Sequence, residues 1–245
     1  MSLLDDGYEV IQTPLPEIQS THDYIRSEVP LKGWADDLIH IQTQKRLSDY
    51  LHYKAKKILS KHVEYFKQLI GPDLLIHKYP YLRMARPGKA QDNIGIHRDT
   101  LYGSSPYEVS VLIPLSNMTG GAAMKVLPGS HVKPSNYYPY TEGESQCDKL
   151  SDKHKLGFLY APKVMSKEVI EECIPINLSM GDILVFFPSL VHGQEVNTSE
   201  EIRLSMDSRI VNSLAPVNTK RAVHSDYFEF FSMGTVETVA RSYES

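Results

Sequence analysis

The sequence predicts a mainly β protein, a sandwich or barrel, with helices packed on one side. Helical periodicity is confined to the region before about residue 71, whereas short apolar or alternating runs recur from Asp73 onward, separated by Pro, Gly, Asn and Ser. Helices followed by many short strands are typical of such a fold. No internal repeat or linker-like composition interrupts the chain, so we expect one domain over residues 1–245.

The N-terminal elements follow from local patterning. Residues 8–11 alternate and two prolines follow them, which predicts a short strand. Residues 15–28 have weak helical periodicity. The strongest helix is predicted over 44–70, because its apolar residues fall on one face, and Gly71-Pro72 ends it.

The later elements are predicted as strands around one long insertion. The run 183–187 is continuously apolar, so we expect both of its faces to be covered. Residues 132–173 are rich in Tyr, Lys, Glu and Ser and indicate an insertion of the kind that forms lids or binding loops. The aromatic segment 227–231 is expected to add a strand or to cover a partner chain. The predicted strands are 74–85, 107–115, 122–127, 174–178, 182–187 and 202–211.

Composition excludes several classes of protein. The chain has 26 basic and 30 acidic residues, a net charge of −4 and no clustered basic face, so we expect no nucleic-acid partner. No apolar run reaches the length of about 18 residues that suggests a membrane span. The chain has 2 cysteines and starts without a basic and apolar leader, so we expect a reducing, cytoplasmic location. The sequence leaves the oligomeric state open.

One histidine–carboxylate motif stands out as a candidate metal site. His-X-Asp occurs at His97 and again at His224, close to what chance gives in a chain with 10 histidines. On an extended backbone, His97 and Asp99 point to the same side, with Arg98 turned away. His192 follows the buried apolar run and supplies a third ligand, whereas no histidine follows His224. Two histidines and one carboxylate are typical of non-haem Fe(II) oxygen chemistry.

A fixed cation is predicted beside this site. Asn197-Thr198 has turn chemistry between two strand-like runs. A hairpin that is symmetric about these residues would place Arg203 directly opposite His192, with Ser205 on the same face. A guanidinium matches a carboxylate better than an ammonium does. The arrangement suits a dicarboxylate that chelates the metal at its near end, such as 2-oxoglutarate.

These residues resemble a known family. Between Tyr79 and Ile210 the chain resembles the Fe(II)/2-oxoglutarate-dependent dioxygenases, specifically their phytanoyl-CoA-dioxygenase-like branch. One departure is Ile96, since the family often has Trp just before the first ligand. The matching segments, in order, are Arg86-Pro87-Gly88, His97-X-Asp99, Leu127-Pro128-Gly129-Ser130-His131, Gly181-Asp182, His192-Gly193 and Arg203, eleven positions after His192.

The resemblance implies a double-stranded β-helix, or jelly roll, with iron between its two sheets. The implied iron ligands and catalytic residues are His97, Asp99 and His192. The implied residues for 2-oxoglutarate are Arg203, Ser205 and Gln194. The implied reaction consumes O2 and 2-oxoglutarate, releases succinate and CO2, and hydroxylates an unactivated C–H bond of a small molecule. The presence of Asp99 disfavours halogenation, because halogenating relatives have a small residue there.

The substrate and the function class stay more open. Arg98 and Tyr102 are candidate substrate residues, and the segments 98–100 and 107–109 resemble oxygenases of carbohydrate and surface-polysaccharide biosynthesis. The alternatives are a non-catalytic cupin-like metal-binding protein, an oxygenase acting on a protein, and a zinc hydrolase. The complete triad with Arg203 argues against a vestigial site, and a hydrolase would not explain Arg203.

Overall fold

The computed structural model describes residues 2–28, 39–140, 163–216 and 227–244, which form two antiparallel sheets with helices against the larger one. The helices are α1 (Leu3–Asp6), α2 (Leu15–Glu28), α3 (Ile39–Leu59), α4 (Val63–Ile70), α5 (Lys167–Glu172) and α6 (Thr235–Glu244). The strands are β1 (Tyr8–Gln12), β2 (Leu74–His77), β3 (Tyr81–Ala85), β4 (Glu108–Pro114), β5 (Met124–Leu127), β6 (Ile174–Ile176), β7 (Asp182–Phe186), β8 (Val191–Gly193), β9 (Arg203–Asn212) and β10 (Phe228–Ser232).

The two sheets face each other as a jelly roll, as predicted. The larger has 7 strands in the order β1-β7-β4-β9-β2-β10, with β3 also paired to β9. Strand β9 is the long central strand of this sheet. It pairs with β4 along one edge, and with β3 and then β2 along the other. The smaller sheet has 3 strands in the order β6-β5-β8, and His97 pairs with His192 at its free edge.

Alternation along the strands of the larger sheet separates an outer apolar face from an inner face. In β7, Ile183 and Val185 pack in the cluster that contains the helices, whereas Leu184 and Phe186 pack between the two sheets. This arrangement follows from the period of two in a strand and confirms that both faces of this run are covered. The helices α2, α3 and α4 therefore close the outside of the sheet.

The same alternation makes β9 polar on its inner face. Its outward side chains, among them Leu204, Met206 and Ile210, belong to the helix-side cluster. Its inward side chains are Arg203, Ser205, Asp207 and Arg209. Three charged side chains in one buried strand need partners or ligands, because isolated buried charge is costly.

Two predicted elements are each divided in two. The predicted helix 44–70 is broken by a 3-10 turn at Ser60–His62, where the Ser60 hydroxyl donates to the Lys57 carbonyl at 2.9 Å instead of leaving that carbonyl to the helix. The predicted strand 74–85 is two strands, because Pro80 lies between them and offers no N–H to a neighbour. The aromatic tail forms β10 and adds to the edge at β2.

The predicted hairpin between His192 and Arg203 is wrong. Strand β8 pairs with β5, so Val126 lies opposite His192, whereas β9 belongs to the other sheet, where Ala85 lies opposite Arg203. The chain crosses between the sheets at Asn197, whose amide donates to the carbonyls of Ala85 at 2.9 Å and Glu201 at 2.8 Å. The link between the two segments is Gln194, two residues after His192, whose side-chain oxygen accepts a hydrogen bond from the Arg203 guanidinium. None of the helices that the structure describes is long and apolar enough to cross a bilayer.

Candidate metal centre

The three predicted ligands converge at one end of the smaller sheet. His97 and His192 exchange backbone hydrogen bonds of 2.7 and 2.9 Å, and Asp99 begins the 3-10 turn Asp99–Tyr102. Asp99 Oδ1 lies 3.5 Å from His97 Nε2 and 3.7 Å from His192 Nε2. One donor atom from each residue lies within 4.8 Å of the others, and all three residues are buried.

Both imidazoles are oriented by their own backbone. Nδ1 of His97 lies 2.7 Å from the Gly95 carbonyl, and Nδ1 of His192 lies 2.9 Å from the Leu190 carbonyl. A carbonyl oxygen can only accept, so each Nδ1 carries the proton and donates. Each Nε2 is therefore directed at Asp99, and in the neutral imidazole this nitrogen carries the lone pair that a metal ligand needs.

The Asp99 carboxylate is held from behind through its second oxygen. Arg209 Nη2 lies 2.8 Å from Oδ2, and the Ser110 hydroxyl donates to the same oxygen at 2.9 Å. Ser110 and Arg209 are direct neighbours across β4 and β9. The clamp leaves Oδ1 facing the two Nε2 atoms, as a ligand in a three-residue metal face requires.

The protonation states suit metal binding. Burial opposes ionisation of Asp99, but Arg209 and the two histidines hold its pKa well below the ordinary value. Burial, together with the neighbouring His97, lowers the pKa of His192 to about 3. The site thus offers one carboxylate and a neutral His192 imidazole, and a metal ligand must be deprotonated.

Arg203 is a buried cation that no carboxylate of the described residues contacts directly, although Asp207 and Asp92 stabilise its charge from farther away. It is 2% exposed, and no carboxylate among the described residues lies within ion-pair distance of it. Its guanidinium donates to the side-chain oxygens of Asn93, at 3.2 Å, and Gln194, and more weakly to the Ala122 carbonyl at 3.4 Å. Burial lowers its pKa to about 10. A guanidinium buried among neutral oxygens is a ready site for an anion.

Gln194 and Ser205, the other two residues expected to bind the cosubstrate, both lie near Arg203. Gln194 covers the guanidinium from the end of β8 and lines the metal cavity. Ser205 faces inward on β9, and its buried hydroxyl has no hydrogen-bond partner within the described ranges of the chain. Unfilled hydrogen-bonding capacity of this kind is expected at a binding site. The remaining cavity lining is Arg83, Asp92, Ile94, His97, Asp99, Leu112, Met124, Phe186, His192, Gly193, Asp207 and Arg209.

Arg98 does not lie in this cavity. Its guanidinium donates to the carbonyls of Ser130 at 2.7 Å and Pro134 at 2.9 Å, and it lies 4.9 Å from the ring centre of Tyr138. Arg98 is turned away from the ligands, as the motif predicts, but the structure gives no support for the substrate role predicted for it. Tyr102 ends the 3-10 turn, and its side chain is outside the described part of the structure.

The Pro-Gly-Ser-His turn connects the two halves of the ligand set. The Ser130 hydroxyl accepts a hydrogen bond of 2.8 Å from Val191 N–H, directly before His192. The Ser130 carbonyl accepts from Arg98, which lies between the other two ligands. This turn therefore fixes both ligand segments at once. The end of the predicted insertion also contacts the first ligand segment, since Val164 N–H donates to the Ile96 carbonyl at 2.8 Å. Residues 141–162 of this insertion and the His224 motif lie outside the described residues.

Sequence reasoning missed the residues that complete the site. Arg209 and Ser110 clamp Asp99, while Asn93 holds Arg203, and none of them belongs to a recognisable motif. A usable signal was present in β9, where charged residues recur at even spacing in an otherwise apolar strand. Even spacing places them on one face, and a buried face with three charges indicates a site.

Two facing sheets that hold two histidines, one carboxylate and an arginine without a contacting carboxylate are typical of the Fe(II)/2-oxoglutarate-dependent oxygenases. The model of the family described as "Phytanoyl-CoA dioxygenase (PhyH)" matches residues 21–205, and the chain belongs to this family. Its members are enzymes that use iron and 2-oxoglutarate, which confirms the predicted cofactors.

Solved structures of similar fold include the non-haem monooxygenase ThoJ. This chain is 15% identical to apo ThoJ, with a TM-score of 0.61 over 88% of this chain and 78% of that one. A structure of the epimerase SnoN with Fe3+, alpha-ketoglutarate and nogalamycin RO has 17% identity and a TM-score of 0.56, over 88% and 83%. The alpha-ketoglutarate-dependent carbocyclase SnoK has 15% identity and a TM-score of 0.52, over 86% and 81%. A comparison with curated proteins finds no significant match.

Proposed function

We propose that this enzyme hydroxylates an unactivated C–H bond of a small molecule, in carbohydrate or secondary-metabolite biosynthesis. In this proposal His97, Asp99 and His192 hold Fe(II), and Arg203 binds the far carboxylate of 2-oxoglutarate with help from Ser205 and Gln194. Iron, 2-oxoglutarate and O2 supply the oxidation, in which one oxygen atom enters the substrate and the other enters succinate as CO2 leaves.

The observation that carries the proposal is the position of Arg203. Its guanidinium is buried, donates to Gln194, which lines the metal cavity, and has only neutral oxygens of the described residues as hydrogen-bond acceptors. A dicarboxylate that reaches from the metal to Arg203 would supply a negative charge in direct contact, whereas Asp207 and Asp92 act on it only from farther away. A zinc hydrolase would not explain a buried cation at this position.

The protein's own contribution is geometry. The backbone carbonyls of Gly95 and Leu190 fix the two imidazoles, while Arg209 and Ser110 fix the carboxylate. When the cosubstrate binds, Gln194 has to give up its hydrogen bond from Arg203 Nη2, because the carboxylate of 2-oxoglutarate needs the same donor. The ligands are buried between two sheets, which excludes bulk water from the reacting atoms.

A monooxygenase, an epimerase and a carbocyclase share this fold. Among these reactions we propose hydroxylation, because it requires only a C–H bond in the substrate and no catalytic residue beyond those already described. A non-catalytic metal-binding role is disfavoured, because the triad, its clamp and Arg203 are all intact. A protein substrate stays a possibility that a peptide screen addresses.

Substitution of Arg203 tests the cosubstrate site. Arg203→Met should raise the half-saturating concentration of 2-oxoglutarate by about 10- to 100-fold, since a charged hydrogen-bonding partner is lost. Arg203→Lys keeps the charge and should fall between this variant and the parent. Iron affinity should change little in either one. Unchanged 2-oxoglutarate dependence of succinate release in Arg203→Met would contradict the assignment.

A further inference from the structure

The metal cavity contains a second arginine, Arg83, that the iron chemistry does not use. Arg83 lies on β3, lines the cavity and keeps 31% of its side chain exposed. Its Nε donates to Asp207 Oδ2 at 2.9 Å. Its two terminal nitrogens have no hydrogen-bond partner among the described residues, so they offer donors toward the cavity.

Asp207 supplies the complementary group. It faces inward on β9, between Ser205 and Arg209, and lines the same cavity. Its Oδ2 accepts from Arg83, whereas Oδ1 is buried and accepts no hydrogen bond from the residues that the structure describes. A buried carboxylate oxygen without a donor is costly, and a native structure normally satisfies it with a ligand or water.

The charge of the pair limits what can bind there. The guanidinium and the carboxylate neutralise each other, so a carboxylate or phosphate would be attracted by Arg83 and repelled by Asp207. A group that both donates and accepts satisfies both residues, and a hydroxyl is the simplest such group. The Tyr81 ring, 36% exposed, lies 5.3 Å from the Arg83 guanidinium and offers an aromatic surface beside the pair.

We propose that Arg83 and Asp207 form the substrate-recognition element of the metal cavity and select a neutral, hydroxylated ring compound such as a glycoside. A hydroxyl of this substrate donates to Asp207 Oδ1, and the same or a neighbouring hydroxyl accepts from Arg83. This inference rests on the proposed hydroxylase function. It disfavours a long acyl chain, because such a chain would leave the Arg83 donors and Asp207 Oδ1 without partners.

The test compares succinate release stimulated by phenyl glycosides of common hexoses with that stimulated by decanoyl-coenzyme A. With the parent enzyme we expect at least one phenyl glycoside to accelerate turnover and the thioester to have no effect. Asp207→Asn and Arg83→Met should each raise the KM for that glycoside by about 10- to 100-fold. The control variants are Glu237→Gln and Arg241→Met, which alter a surface ion pair on α6 and should leave this KM unchanged. The pair is matched to Arg83–Asp207, because Arg241 Nε lies 2.7 Å from the Glu237 carboxylate and the Arg241 guanidinium lies over the Phe230 ring.

Deoxygenated probes sharpen the test. A series of phenyl glycosides is prepared in which each lacks a different hydroxyl. With the unmodified enzyme, at least one of them should have a higher KM than the complete glycoside. With Asp207→Asn the difference in KM between the two should shrink, because a neutral amide oxygen accepts from that hydroxyl more weakly than a carboxylate does.

Three results would overturn the proposal: acceleration by decanoyl-coenzyme A but by no glycoside, acceleration by neither, or variants that lose thermal stability with an unchanged glycoside KM. The last result would make the pair only a link between β3 and β9. Failure of the hydroxylase proposal is distinguishable, because then 2-oxoglutarate would not bind the iron-loaded enzyme even without a probe.

Discussion

At the residue scale, the metal centre depends on side chains that do not touch the metal. Arg209 and Ser110 both hold Asp99 Oδ2, so the carboxylate is fixed in position and its charge is balanced before any metal arrives. Arg209 is itself fully buried, and Asp99 helps to raise its pKa above the ordinary value although burial opposes this. Each charge therefore makes burial of the other tolerable.

Removal of Arg209 should destabilise the metal-free protein more than the metal-bound protein. Arg209→Met leaves a buried carboxylate uncompensated, which costs roughly 3–5 kcal/mol in the free energy of unfolding. A divalent cation at the triad compensates part of that charge, so Mn(II) should restore part of the loss. Urea denaturation with and without Mn(II) measures both values. An equal loss in the two conditions would show that Arg209 does not act through Asp99.

At the element scale, local patterns predicted the strands, but they could not predict which strands pair. The alternating and apolar runs are strands, and the buried run in β7 is covered on both faces. The turn at Asn197 was read correctly as a turn but wrongly as a hairpin, because turn chemistry is local and sheet membership is not. Strand β8 was predicted only as one arm of that hairpin, because three residues carry no periodicity that would define a strand by themselves.

Close packing of the His97 segment on β8 depends on Gly193. A Cβ there would overlap the Gly95 carbonyl and lie 2.8 Å from the Ile96 Cα. Gly193→Ala should therefore push the two ligand-bearing segments apart, lower stability by about 1–3 kcal/mol and weaken metal binding. Gly88→Ala is the control, because its φ of 71° imposes strain but no atom lies within 4 Å of the new Cβ. Metal titration of both variants measures their affinities. If Gly193→Ala bound the metal as tightly as Gly88→Ala, the packing argument would be wrong.

At the scale of the whole molecule, the fold does not depend on the metal. One apolar cluster joins the helices to the larger sheet, and a second fills the space between the sheets. The family, the triad and Arg203 were predictable, because short motifs at fixed spacing carry them. The clamp on Asp99 and the Arg83–Asp207 pair were not, because they arise only when distant strands meet.

Metal removal should therefore leave a folded protein of lower stability. The metal-free chain should keep its circular dichroism spectrum, and Mn(II) at 100 times its dissociation constant should add about 2.7 kcal/mol to the free energy of unfolding. For a chain of this size that corresponds to a rise in Tm of about 5–10 °C. His192→Ala should fold and show no such rise. A metal-free protein without a cooperative transition would contradict this view.

The central claim is that 2-oxoglutarate bridges iron at the triad and the Arg203 guanidinium. Anaerobic titration of the Fe(II)-loaded protein with 2-oxoglutarate tests it most directly, through the weak visible charge-transfer band of the chelated keto acid. We expect the band to appear with the parent protein, to require far more 2-oxoglutarate with Arg203→Met, and to be absent with His97→Ala. With iron demonstrably bound, absence of the band in the parent protein would contradict the cosubstrate assignment and leave a metal-binding protein on the same fold.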